Sequence, residues 1–332
     1  MNEEFRKLKE DSLALMAGGF SFLQSKNFRE AEHCFREAAV MRDQMPWKED
    51  AEAAWMRAAS WINHGDAIMR DGVSSRPGDA LESMKKGIES LRYVDLGANP
   101  AFPEQKALAL IHQGTLHGEM DNFSGAQTAF SEAELLLREH GDTTRVESRR
   151  LAGMLMVNRA RIHLKEGSIR NAVSDARLGV GILNSANDPG AAVRARAVFC
   201  EALAELLEIP DGLNGVEDWI AEATDAVEEA MGILRKTGTT EDAAADLVRY
   251  GARIYRVCQP AFLGEFLTEW LSGNGPLAAD ETLKKEMLGE LLLAKVELEK
   301  NVLRRAHETG YVQRQTEILK KLQAGEAALE KG

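Results

Sequence analysis

The chain has 332 residues, 41 Lys+Arg against 53 Asp+Glu for a net charge of −12, and 44% apolar residues. That length disfavours one compact core and suits an extended array, while the acidic balance excludes general nucleic-acid binding as a default role. Aromatics at 6% and only 8 Pro favour helix almost throughout. Cys34, Cys200 and Cys258 are odd in number and widely spaced, and read as reduced core thiols in a reducing compartment. No stretch approaches the roughly 18 apolar residues of a membrane span. The charged opening segment has no apolar signal core, so the expected location is cytoplasmic.

Residues 3–12 open a first helix. Leu15, Gly19 and Phe22 follow at i, i+4 and i+7, one face of an α-helix. Ser25, Lys26 and Asn27 break the pattern. A second helix then carries Ala31, Phe35 and Ala38 at the same spacing, ending near Met41. Gln44, Met45 and Pro46 interrupt, with Pro46 suited to a first helical turn. The second hairpin has a long first helix over about 48–70, with Trp55, Ala58, Ala59 and Ile62 on one face, a stop at Asp71 and Gly72, and a loop over 74–78. Its second helix repeats the small and large positions as Ala80, Met84 and Gly87. The third hairpin gives Leu110, Gly114 and His117, a turn at Asp121, Asn122 and Phe123, then Ala126, Phe130 and Ala133. The fourth gives Met156, Ala160 and His163, a turn at Glu166, Gly167 and Ser168, then Ala172, Ala176 and Gly179. A fifth runs from Asp188 through Ala195, Val198, Phe199 and Ala202. It is interrupted over 209–212 and resumes from about Val216 with Ala223, Val227 and Ala230. A sixth carries Leu247, Gly251 and Ile254, then Pro260 at the turn, then Leu263, Leu267 and Trp270. Beyond residues 273–276 the chain becomes rich in Leu, Glu and Lys, over 278–306 and 311–329.

Small residues where helices approach and large ones between them, at these offsets, resemble the tetratricopeptide repeat. The resemblance covers residues 13–180 closely and 190–272 loosely. It implies an all-α fold, a TPR-like right-handed superhelical solenoid of helical hairpins with a C-terminal helical cap. Residues 1–273 form the repeat solenoid of about six hairpins and 276–330 the capping helices; a tail that folds back and regulates the groove is the other reading. Ala31, Ala80, Ala126 and Ala172 are 49, 46 and 46 residues apart, longer than the family's usual ~34. Long repeats resemble those of kinesin light chain, although here they are less uniform.

No catalytic constellation stands out. Gly179, Val180 and Gly181 lack the strand and third glycine of a phosphate loop, and His112 and His117 are five apart, off the i, i+4 spacing of a zinc pair. His33 and Cys34 are adjacent and point apart. The reading is therefore a non-enzyme with no cofactor and no metal. In the resembling family the first helix of each hairpin lines the binding groove. On the opening helix that face carries Leu13, Met16, Phe20 and Leu23; on the fourth hairpin it carries Met154, Val157, Arg161 and Leu164 beside Lys165. The apolar strip reads either as a partner surface or as packing against the N-terminal residues or the next hairpin. Charge is uneven: residues 145–199 hold ten basic side chains against four acidic ones, so this stretch carries +6 and the rest −18. Arg159, Arg161, Lys165 and Arg170 are thus expected partner-binding residues, steering an acidic peptide or protein surface, with solvated helix faces as the plainer reading. The expected function is a protein–protein interaction adaptor with a protein partner, a bacterial tubulin-like filament being the specific expectation from the kinesin-light-chain resemblance. A peptide- or ligand-sensing regulator with a movable C-terminal segment is the alternative. Neither nucleic acid nor membrane is expected.

Overall fold

The computed structural model describes residues 3–71, 76–209, 216–237, 241–272, 275–304 and 309–331. Gly72, Ser74 and Ser75 of the expected loop, the interruption at 210–212, and the boundary residues 273–274 lie outside these. Among the described residues there are helices and no strand. The chain divides into two compact halves, Met1–Glu166 and Gly167–Gly332.

The N-terminal half contains α1 (Glu3–Gln24), α2 (Phe28–Asp43), α3 (Ala51–Arg70), α4 (Pro77–Ser90), α5 (Ala101–Glu119), α6 (Phe123–His140) and α7 (Val146–Lys165), with a 3₁₀ turn at Leu91–Tyr93. The second hairpin's first helix starts at Ala51 rather than near 48, because the Asp50 side chain accepts hydrogen bonds from the Glu52 and Ala53 amides and caps it there. Pro77 fits the first turn of α4, where its missing N–H costs nothing. Consecutive helices pair as hairpins, α1 with α2, α3 with α4 and α5 with α6, and each hairpin packs on the next.

One device recurs in these hairpins. A glycine on the first helix accepts the large side chain of the second helix against its backbone: Gly19 takes Phe35, Gly65 takes Met84, and Gly114 takes Phe130. Phe35, Met84 and Phe130 are completely buried as a result. Gly65 was not legible as the partner of Met84, because the longer connection moves it out of the expected offset. The turns are equally uniform. Lys26, Asp121 and Gly167 all have left-handed backbone, at φ 58°, 56° and 77°, just before the next helix begins. Between hairpins, the buried Arg42 guanidinium donates to Ser12 Oγ, Ser60 Oγ and the Met56 carbonyl, tying α2 to α1 and α3. Arg57 does the same one hairpin on, to Asp43, Ser90 Oγ and the Lys86 carbonyl.

The C-terminal half contains α8 (Ile169–Ser185), α9 (Pro189–Glu208), α10 (Val216–Thr237), α11 (Glu241–Cys258), α12 (Pro260–Leu271), α13 (Glu281–Arg304) and α14 (Thr309–Lys331). The sixth hairpin is shifted by one residue from its sequence reading: Gly251 receives Phe266, not Leu267. The last two helices are built into the stack. α13 lies on α11, and α14 lies on α12, where Gly264 and Gly325 bring the two backbones together. Cys200 is buried, and burial pushes its thiol up to about 12; Cys34 and Cys258 are only half-buried.

Candidate protein-interaction surface

The expected apolar strip of α1 divides in two. Met16 is buried with its sulfur 3.5 Å from Ser60 Oγ of α3, and Leu23 packs on the cluster of Ala31, Phe35, Ala38 and Ala67. Both serve hairpin stacking. Leu13 and Phe20 instead remain 49% and 45% exposed. They lie two helical turns apart on one stripe, with exposed Ala17 between them. The edge of the Phe20 ring meets Phe35, centroid to centroid 5.3 Å at 69°, which holds the exposed ring in place.

Five of the ten basic residues of 145–199 are matched by carboxylates. Arg145 forms a two-point pair with Glu104, which also accepts from Ser148 Oγ. Arg150 pairs with Glu147 and Arg159 with Glu134. In the C-terminal half Arg177 pairs with Glu222 and Arg196 with Glu229. Apart from Arg150, each acceptor lies 25–45 residues away, on a different helix. A tally of charge along the sequence cannot see such pairs. Of the four expected basic contacts, Arg159 is thus engaged. Lys165 is exposed with Nζ 3.4 Å from the Gly118 carbonyl, and Arg161 is exposed with no ion pair among the described residues. Arg170 is exposed on the C-terminal half.

The histidines read as packing groups. His64 is buried with Nδ1 2.9 Å from Ser83 Oγ, and burial pushes it down to about 4. His112 Nε2 lies 3.7 Å from Asp66 Oδ1, and burial lowers its affinity for a proton despite that carboxylate. Both are neutral near pH 7, so these contacts are polar rather than ionic.

The C-terminal half carries a feature that sequence reasoning missed. α11 presents Arg249, Arg253 and Arg256 between glutamates of α9 and α13. Arg253 binds Glu205 and Glu208; Arg256 binds Glu208, Glu290 and Glu297; Arg249 binds Glu286. Hydrogen bonding from Arg253 and the nearby arginine charges hold Glu208 below the usual carboxylate range. Burial opposes the charge on Arg253, but Glu208 and Glu205 raise it overall. The i, i+4, i+7 spacing of Glu201, Glu205 and Glu208 was the available signal.

No family model matches the sequence, and no curated protein matches it. Among solved structures, the chain is similar to BtubC (BKLC) from P. vanneervenii at 14% identity, covering 71% of this chain and 87% of that one with a TM-score of 0.50. It is similar to the apo form of RapI at 12% identity, covering 97% and 99%, with a TM-score of 0.50. It is also similar to the Rap conjugation gene regulator of plasmid pLS20 in complex with the Phr* peptide, at 13% identity, covering 100% and 78%, TM-score 0.50. At such identities the likeness concerns the fold: this is an all-α, TPR-like helical-repeat protein.

Proposed function

We propose that the chain is a non-catalytic adaptor that holds a protein partner on the first-helix face of its N-terminal half. The observation that carries this reading is the exposed Leu13 and Phe20 pair, an apolar stripe fixed on a rigid hairpin. Anchors held in place before binding lose little freedom on association. Arg161 and Lys165 supply the accessible positive charge of the same half, and long-range attraction by such groups speeds encounter with an acidic partner.

Within that role, a bacterial tubulin-like filament is the leading partner. The 46- to 49-residue repeat, which resembles kinesin light chain, and the fold likeness to BtubC (BKLC) support it. A peptide-sensing regulator with a movable C-terminal segment is the second reading, supported by fold likeness to a Rap regulator whose structure holds a peptide.

Affinity capture from native extract tests the role. Leu13→Asp with Phe20→Asp should reduce partner recovery at least about ten-fold, a loss of about 1.4 kcal/mol, while circular dichroism shows the helical fold kept. Arg161→Glu with Lys165→Glu should weaken capture most at low salt. Full recovery with both double variants would overturn the assignment of this face. For the filament, co-sedimentation that leaves all the protein in the supernatant would remove that partner.

A further inference from the structure

A second surface lies in the C-terminal half, on α10, α11 and α12. A cleft of about 420 Å³ opens there, within the range typical of ligand-binding pockets. Two aromatic rings form its base: Tyr255 and Phe266 are both buried, with centroids 4.9 Å apart. A third ring, Phe262, stands at the cleft 51% exposed.

The charges around it are unequal. Arg235 and Glu269 neutralise each other through a two-point pair at 2.8 and 3.0 Å. Glu228 and Glu265 also line the cleft, both exposed, and neither has an ion-pair partner among the described residues. They contrast with the glutamates of the arginine ladder, which are engaged. The Gln259 side chain adds a polar edge. Aromatic faces carry negative potential and attract cations, most strongly where water is partly excluded. The Lys321 ammonium of α14 lies 5.7 Å from the Phe262 ring centroid, so this ring already faces one cation, and Glu228 and Glu265 together leave one net negative charge once Lys321 is counted.

We infer that the α10–α12 cleft is a docking site for a peptide segment of a partner protein that presents an arginine or lysine side chain. The cation enters between Glu228 and Glu265 over the aromatic base, and its aliphatic stem lies against Phe262. Two unpaired carboxylates beside aromatic rings fit a cationic side chain and repel an acidic one. The site therefore selects a segment of opposite charge from the one attracted by Arg161 and Lys165. It does not depend on the first-helix face being a partner surface.

The test uses the full-length protein and a fluorescein-labelled ten-residue peptide of alternating Ser and Arg, followed by anisotropy. The comparison peptide carries neutral citrulline in place of each Arg. The Arg peptide should bind and the citrulline peptide should bind at least about ten-fold more weakly, about 1.4 kcal/mol. Glu228→Lys with Glu265→Lys should lower affinity for the Arg peptide at least about ten-fold. The charge-matched pair Glu10→Lys with Glu139→Lys, both at exposed positions on the other half, should change it less than about two-fold. Phe262→Ala, at a half-exposed ring, should weaken binding by about three-fold through the lost stem and ring contact. Equal losses in the two lysine pairs would mean that the peptide senses only the overall negative charge, and would overturn the site. Full affinity in Phe262→Ala would overturn the aromatic role. Because Leu13 and Phe20 remain intact in every variant, failure here leaves the proposed adaptor face to stand or fall on its own capture experiment.

Discussion

A methyl group added at Gly19 would lie 2.5 Å from Cε1 of the Phe35 ring, and one added at Gly114 would lie equally close to Phe130. A flat ring enclosed on all sides cannot swing aside as the end of an aliphatic chain can. Gly19→Ala and Gly114→Ala should each cost about 1–3 kcal/mol, the usual penalty of overpacking, read as a lower urea midpoint. Gly181, in the exposed middle of α8, has nothing within 4 Å of a built Cβ. Gly181→Ala should raise stability by about 0.5–1 kcal/mol through helix propensity alone. Opposite signs for chemically identical substitutions would separate packing from propensity; a shared sign would defeat the packing account. His64 is the other residue whose environment makes a measurable difference. Its folded pKa is depressed to about 4 by burial, whereas an unfolded imidazole takes a proton near about 6.5. Between those values the unfolded chain binds a proton that the folded chain refuses, so stability falls as pH drops through that window. The slope from one such group is at most about 1.4 kcal/mol per pH unit. His64→Gln keeps a hydrogen-bonding side chain beside Ser83 and should flatten the pH dependence of unfolding between about 6.5 and 4. An unchanged slope would assign the acid sensitivity to other groups.

At the level of helices, the sequence made the hairpins visible wherever a small residue and a large one had to meet. Ala31 and Phe35, then Ala126 and Phe130, stand out because a narrow gap admits few residue types. The pattern fades where the chain uses other means. Phe266 was misregistered by one position because Leu263, Phe266 and Leu267 are all large and apolar, and any of them could fill the gap beside Gly251. The Leu13, Met16, Phe20 and Leu23 strip was legible as apolar but not as half packed and half open, since that depends on where α3 lies. The Leu-rich pattern of α14 did not reveal its docking on α12, because part of that contact is made by two glycines, Gly264 and Gly325, which carry no apolar side chain. That approach gives an element-level prediction. A Cβ on Gly325 would fall 2.6 Å from the Gly264 Cα, a backbone atom that has no rotamer in which to retreat. Gly325→Leu should therefore cost at least about 2 kcal/mol, in the upper part of the overpacking range, and should free α14. The buried Leu322 and Leu329 and the Lys295–Glu326 pair at 2.5 Å depend on the same docking. Limited proteolysis should then cut within 309–331 before any other helix. Resistance equal to the parent would show that the crossing tolerates a side chain.

Across the whole chain, charge and contact are both organised at the scale of neighbouring hairpins. Half of the positive residues in 145–199 find carboxylates, mostly on neighbouring helices, so part of an apparent +6 stretch becomes local pairs, with Arg161, Lys165, Arg170 and Arg194 left exposed. Within each half contacts follow the same rule, helices touching others one or two places away. A protein built this way has a stability close to a sum of hairpins and nearest-neighbour interfaces, rather than one all-or-none core. Phe35→Ala tests this directly. It empties a completely buried site in the first hairpin, and should cost about 3–5 kcal/mol locally. Hydrogen exchange should show the loss as faster exchange in α1, α2 and α3, where the Phe35 cluster and the Arg42 bonds lie. Amides of α9 to α14, in the other compact half, should keep their parental protection. Uniform acceleration across all the described helices would instead mean that the chain opens as one cooperative unit. Local stability of this kind would let the proposed α10–α12 site be filled without altering the proposed Leu13–Phe20 face, and the same exchange measurement, made with the Arg peptide bound, should confine new protection to α10, α11 and α12.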